Sequence, residues 1–489
     1  MKVKSIYLWR IIFSLWILLC FSFYFHPEKA NLFWRILLIF WLMLFMWKGK
    51  VDFSLFLSFF FFLTILKFMR FDYYNEGGFD LGNKFSILWN IKNKVIVWNS
   101  LNNCHGFAGH FQPIMYFFAI FLYIWENPKM LLILQNLIVV SGAFFLYKFS
   151  KNLYIVLLYC FHFLLHEVVH YDFHPEVLSI FLFLLGFYLY ERKSNLFCLP
   201  FIFSLLLKED LPFILLGISL YFLIEFFARK EKFILINSIL IFSCSLTYSI
   251  LLFSFWKPEI SIPLKTHYPQ FGGGYVEFFS NLFKNPLKIA KILFKWNKIL
   301  NFIKLLASFG FFIGKEFALL IIPVFENLLS EYWRRWQFKV QYATYLLPLG
   351  IYMVYKTYEK VKDKKLAKYL FYFAFIINFI FLPNYFLMIK KRHSKLLDKV
   401  LKEYREKKNL VLCANQNIVP HLCARESIYQ FPFGVNESDF IILDKQWGFY
   451  PFPEEFKDSI LKEFSRKFKI VYKFDGIYIF ENIRKRRRF

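Results

Sequence analysis

A chain of 489 residues that is 58% hydrophobic and 23% aromatic, with a mean hydropathy of +0.44, carries more apolar surface than a soluble fold can bury. Its formal charge of +27 would suggest nucleic acid in a soluble protein. Here much of the Lys and Arg lies in short loops between apolar runs, so membrane topology and anionic lipid head groups account for it and no nucleic-acid partner is expected.

The apolar runs are continuous rather than alternating, which predicts membrane helices and excludes a barrel. The first three are expected near residues 6–25, 31–47 and 51–69. The first is longer than a signal-peptide core and lacks a small-residue cleavage site, so it reads as a retained anchor. Residues 71–113 then form a polar island holding Asp72, Glu76, Asp80, His105 and His110. The apolar stretch from Phe111 to Trp125 is short, with Pro113 in its first turn, and is expected to lie along the membrane surface.

Further spans are expected near 129–149, 153–169, 175–190, 195–207, 211–228, 232–254, 298–314, 316–330, 341–358 and 366–387, about 13 in all. A polar segment at 255–297 contains Gly272-Gly273-Gly274, read as a hinge. No G-x-x-x-x-G-K-S/T phosphate loop occurs, so the chain is not expected to hydrolyse ATP. In the tail, short strands are expected at 409–414, 440–443, 469–472 and 476–480, and an amphipathic helix at 454–468. The expected division is 1–70 N-terminal membrane helices, 71–128 first outer loop, 129–387 transmembrane core and 388–489 a tethered soluble α/β domain. Cys413 and Cys423 could pair if that domain lies outside. The basic run from Arg484 reads as a solvated or lipid-facing tail.

Lys2 and Lys4, Lys48 and Lys50, Lys148 and Lys151, Arg192 and Lys193, Arg229, Lys230 and Lys232, and the run 360–365 all fall on one side of this layout. That side should be the cytoplasm. The N-terminus is then cytoplasmic, and the island, the 255–297 segment and the tail face outward from an inner membrane.

Under this topology three successive outer turns present acidic groups. Asp80 and His110 come from the island, Asp172, His174 and Glu176 from Tyr171-Asp172-Phe173-His174-Pro175-Glu176, and Lys208, Glu209 and Asp210 from the next turn. Later outer turns add His267, Glu331, Arg334, Arg335 and Gln341. Charged groups at span ends need partners or a task. Caps and snorkelling groups explain any one turn, whereas three together predict a shared site. Asp72 and Glu76 read as solvated loop positions. A competing pattern, His166-Glu167-Val168-Val169-His170, matches H-E-x-x-H, and His174 adds a third imidazole. A metal on His166, His170 and His174, or an intramembrane metalloprotease, is the reading it carries.

Several phrases together resemble a known family. They are Phe79-Asp80-Leu81-Gly82 with Leu88-Trp89, Gly109-His110-Phe111-Gln112-Pro113-Ile114, Asp172-Phe173-His174-Pro175-Glu176, Lys208-Glu209-Asp210, Glu326-Asn327-Leu328-Leu329-Ser330, Gln341-Tyr342, Ile418-Val419-Pro420-His421-Leu422 and Asp439-Phe440-Ile441-Ile442-Leu443-Asp444. They look like an uncharacterised family of multi-spanning bacterial and archaeal membrane proteins, covering the chain from about residue 70. That family is similar in architecture to the GT-C glycosyltransferases, which take a sugar from a polyprenyl-phosphate carrier at the outer face. The resemblance implies a GT-C-like α-helical polytopic core and a base or divalent-metal partner at Asp80, although Asp80-Leu81-Gly82 lacks the paired acids of some relatives. On that reading Asp80 deprotonates the acceptor, and Lys208, Arg334 and Arg335 hold the phosphate. His110, His174, Glu209 and Asp210 orient the acceptor or a metal, and Asp172, Glu176 and Gln341 complete the binding surface. A transporter or flippase of lipid-linked saccharide is the alternative.

Overall fold

The computed structural model describes residues 15–16, 18–20, 30–48, 51–94, 96–255, 265–383 and 391–483. The expected first span and the closing basic run lie mostly or wholly outside the described residues. The protein is mostly helical, with a small sheet near its C-terminus.

Four described helices are long and apolar enough to cross a membrane: Phe53–Asp72, Lys129–Ser150, Leu211–Arg229 and Lys232–Phe255. A fifth candidate is the pair Leu153–Phe161 and Phe163–His170, bent by 44°. The break is at His162, whose backbone is extended and whose ring accepts from the Leu164 N–H. Asn378 satisfies the Phe163 N–H freed by the bend, at 2.8 Å. Length and apolarity therefore single out four or five spans, not the expected 13 or so. The spans expected near 195–207, 298–314, 316–330 and 341–358 fall on helices of 6, 13, 12 and 15 residues. Hydropathy windows had merged these helices with the apolar turns that flank them. The segment Met115–Ile120 is a short helix whose Tyr116, Phe117 and Ile120 are exposed.

Ion pairs and tyrosine–carboxylate hydrogen bonds mark the two ends of the bundle. At one end Lys193 meets Glu231 at 3.0 Å, Tyr352 meets Glu191 at 2.7 Å and Lys360 meets Glu316 at 3.0 Å. At the other, Lys129 meets Asp72 at 2.6 Å, Lys208 meets Glu176 at 3.4 Å and Tyr345 meets Asp210 at 3.0 Å. The polar island and the three acidic turns share this second end.

The tail is α/β. Strands β3 (Leu412–Ala414), β4 (Ile428–Gln430), β5 (Phe440–Asp444), β6 (Lys469–Phe474) and β7 (Ile477–Glu481) form a sheet in the order β4-β3-β5-β7-β6. Strand β3 runs parallel to β4 and β5, and β7 is antiparallel to β5 and β6. A two-residue ladder within the island, β1 (Trp98–Asn99) with β2 (Cys104–His105), completes the strands. The tail is docked on the island and not merely tethered. His421 packs between Phe71 and Tyr74, at ring centroid distances of 4.2 and 3.9 Å, and the Gln430 N–H donates to the Leu101 carbonyl. One apolar cluster runs from the bundle into Leu412, Ala414, Val419 and Ile428. Cys413 and Cys423 are both buried and unpaired, each thiol directed at a backbone carbonyl.

Candidate functional site

Asp80 sits in a single π-turn, Gly78–Gly82, that opens the helix Asn83–Lys94. Glycines are required here because the tail closes on the turn. A Cβ at Gly78 would come within 2.5 Å of Gln430 Oε1, and one at Gly82 within 2.9 Å of Val419. His174 precedes Pro175, which bars it from helical geometry; it is extended, and the helical turn starts directly after it. Pro212 similarly sits in the first turn after Asp210. Each of these turns therefore reverses sharply and leaves its polar side chains at the bundle's end.

These side chains form one chain of contacts. Asp80 Oδ1 lies 3.3 Å from His174 Nε2, and its Oδ2 accepts the Tyr171 hydroxyl at 2.8 Å. His174 Nδ1 is 3.9 Å from Glu176, which meets Lys208 at 3.4 Å. Lys208 reaches Asp210 at 3.2 Å, and Asp210 faces Arg335 at 4.0 Å. Arg335 pairs with Glu326 at 2.6 Å. Beside this chain, His110 Nδ1 meets Glu209 at 2.7 Å, and the second Glu209 oxygen accepts the Phe111 N–H at 3.1 Å.

Burial and mutual charge set the acidities. Burial alone would raise the Glu176 carboxyl, yet Lys208 and His174 outweigh it and hold it at about 2. Glu209 is buried too and is kept low by His110 and Lys208. Asp210 goes the other way: burial, together with Glu326 and Glu209, exceeds the pull of Lys208 and lifts it to about 6. Burial lowers His174 despite Asp80 and Glu176, and burial with Arg335 and Lys208 lowers His267 to about 2. Lys208 stays charged because Asp210 and Glu176 overcome its desolvation. The end of the bundle thus holds neutral imidazoles among paired ions, with one carboxyl poised near neutrality.

A cavity of about 500 Å³ opens against this chain. Its polar end carries His110, Glu209, Asp210, His267, Glu326 and Arg335. Its walls are apolar, from Phe213 and Leu216 on one span, Ile322 and Phe325 on Ala318–Leu329, and the amphipathic helices Tyr275–Lys284 and Pro286–Leu293. An apolar space ending in a few convergent polar groups is the form of a ligand site.

Over residues 70–477 the chain matches the family model DUF2079, whose description is "Predicted membrane protein". The chain belongs to that family. It is a multi-pass membrane protein, and no curated protein matches it.

Within this family member, not every expected site residue joins the chain of contacts. Asp172 turns away: it accepts the Gly77 N–H at 2.8 Å and faces Arg70 at 3.9 Å. Glu76, expected in solvent, is buried there, bonded to Lys67 at 3.1 Å and Arg70 at 2.8 Å. Arg335 lines the cavity, whereas Arg334 stacks over Trp333 and approaches the Tyr171 hydroxyl at 3.5 Å. On the turn Val340–Ala343 it is Tyr342 that enters the site, under Arg335 and 3.3 Å from His267. Gln341 lies beside it with its buried side-chain oxygen unpartnered.

The H-E-x-x-H residues do not fit a zinc site. His166 Nδ1 and His170 Nε2 bond each other at 3.1 Å, His166 Nε2 bonds the Cys160 carbonyl, and Glu167 accepts the Val340 N–H. His174 is engaged with Asp80. Among the described residues no group of three or more His, Cys, Asp or Glu is placed to hold a metal, at Asp80 or elsewhere.

Lys84 escaped the sequence reading. It is buried and bonded to Gln112 at 2.6 Å, and burial lowers its pKa against the opposing charges of Glu176, Asp80 and Glu209. Its signal was the spacing of four residues from Asp80, which places both on one helical face.

Proposed function

We propose that this protein transfers a sugar from a polyprenyl-phosphate carrier at the extracytoplasmic face of the inner membrane. The cavity is the observation that carries the reading: an apolar space bounded by a span and two amphipathic helices, ending at Arg335, Glu209 and Asp210. A long-chain lipid fits the walls, and a phosphosugar fits an end where Arg335 meets the phosphate and carboxylates accept sugar hydroxyls. The end of the bundle bearing the basic loops would face the cytoplasm, which sets the site outside.

In this mechanism Asp80 takes the proton of the acceptor hydroxyl, while Arg335 and Lys208 hold the departing phosphate. Fixed ions in a dry pocket stabilise such developing charge better than water does. His110 orients the acceptor. The site's ionisable groups lie at an end of the bundle and not at its middle, which favours an enzyme over a transporter.

The test is mass spectrometry of lipids retained by the purified protein. A polyprenyl phosphate is expected in the wild type and should be lost from Leu216→Trp, which fills the cavity. Absence of isoprenoid phosphate from the wild type, or equal retention by the variant, overturns the reading.

A further inference from the structure

A second apolar space comes close to the site at Phe111, next to His110. Recesses of about 340 and 210 Å³ share Tyr248 and Leu251 and so form one trough along Lys232–Phe255. Leu205 and Cys244 line its far end, and Phe111 and Phe255 line the end at the site. The trough lies on the outside of the bundle: only 33% of that span's apolar window is buried, and Leu251 and Phe255 in the trough are exposed.

At its site end the Phe111 N–H donates to Glu209, and Glu209 holds His110. These two side chains also line the larger cavity. One hydrogen-bonded pair therefore lies between two apolar spaces. The Tyr248 hydroxyl is buried with no hydrogen-bond partner, although its ring lines both recesses of the trough. A buried hydroxyl left unmatched carries a desolvation penalty that a polar ligand would relieve.

We infer that the acceptor is itself a membrane amphiphile with a hydroxyl-bearing head group, its chain lying in this trough and its hydroxyl meeting Tyr248 and the His110–Glu209 pair. A water-soluble acceptor would have no use for an apolar approach along the outside of the bundle. The inference rests on the transfer reading. The acceptor oxygen bonds to the anomeric carbon as the bond from that carbon to the phosphate oxygen breaks. The electron pair leaves with the polyprenyl phosphate, and the hydroxyl proton passes to Asp80.

The test uses the full chain in nanodiscs of phosphatidylethanolamine and phosphatidylglycerol with a trace of phosphatidylglycerol carrying a diazirine in its acyl chain. Cross-links are mapped by mass spectrometry. In the wild type they should concentrate at residues 244–255 and 205. Leu251→Trp should cut them about tenfold, with labelling at Ile236 and Ile239 unchanged. Thr247→Trp, at another exposed trough position, provides the second variant should the first fail to fold. Uniform labelling along the span, or trough labelling untouched by both variants, means boundary lipid only and overturns the inference. Labelling needs no sugar donor, so its failure is separate from loss of polyprenyl phosphate in Leu216→Trp, which should leave trough labelling intact.

Discussion

Asp80 Oδ1 lies 3.3 Å from His174 Nε2 while the Tyr171 hydroxyl donates to its other oxygen, so the carboxylate sits between a hydrogen-bond donor and an imidazole. Burial lowers His174, which keeps the ring neutral at pH 7, and the imidazole positions Asp80 without adding charge. Asp80→Asn keeps the shape and removes the base. Sugar transfer in proteoliposomes should fall by roughly 10² to 10⁴, the range for a lost general base, with lipid retention unchanged. His174→Ala should cost only about tenfold, because the carboxylate remains. Full activity in Asp80→Asn removes Asp80 from the mechanism.

Asp210, lifted from 3.8 to about 6, gives the protein a pH signature. Above pH 6 its buried charge opposes folding. As pH falls from about 6 towards 3.8 the folded state takes up a proton that the unfolded state does not yet hold, so stability rises. The gain is at most ~3 kcal/mol. Glu176 and Glu76, both held at about 2, begin to lose their stabilising share only as pH drops below 4.5. Asp172, pushed up by burial and Glu76, acts in the same sense as Asp210. Thermal unfolding in detergent between pH 7 and 4.5 should therefore rise less in Asp210→Asn than in the wild type. Parallel curves refute the assignment.

What the sequence revealed and what it hid have physical reasons. The three acidic turns were visible because X-Pro and acidic residues interrupt long apolar runs, and interruption is a local signal. Their convergence was readable from alternation alone. The partition of the polar groups was not: Asp172 and His174 lie two residues apart, yet one meets Arg70 and the other Asp80, partners that only the folded chain brings near. Glu76 read as solvent-exposed because its partner Lys67 is hidden inside an apolar span. The cavity was invisible because its walls come from distant helices. Two of those walls, the helices Tyr275–Lys284 and Pro286–Leu293, lie in the segment read only as polar, because Lys284, Lys288 and Lys291 lower its apolarity while their spacing leaves one face apolar.

The buried pair gives a third prediction. Glu76 is bonded to both Lys67 and Arg70, and Lys67 also donates to the Tyr171 carbonyl. Glu76→Gln leaves two buried cations with one carboxylate, Asp172, nearby. Breaking such a pair should destabilise by about 3–5 kcal/mol. Lys67→Met combined with Glu76→Gln removes the stranded ammonium and should recover a substantial part. Thermal unfolding of the single and double variants checks this. A double variant no more stable than Glu76→Gln would show that the ion pair is not the cause.

Docking of the tail can be separated from its folding at a glycine. A Cβ at Gly78 would meet Gln430 Oε1 at 2.5 Å, the Gln416 carbonyl at 3.0 Å and Val419 at 3.1 Å. The Gln430 side chain can swing aside, but the Gln416 backbone is fixed by the turn that follows β3, so relief must come from moving the tail off the island. Gly78→Ala should therefore weaken docking by roughly 1–3 kcal/mol, the usual cost of overpacking. Gly109→Ala, where a Cβ meets nothing within 4 Å, is the matched control in the same loop. Limited proteolysis should cut the Gly78→Ala protein faster at the helix Lys391–Glu406 that joins the bundle to the sheet, releasing an intact tail fragment. Asp80 lies two residues away on the turn that docking holds, so transfer should fall in step with cleavage. If cleavage rises and activity does not, the tail is packed on the site without positioning Asp80.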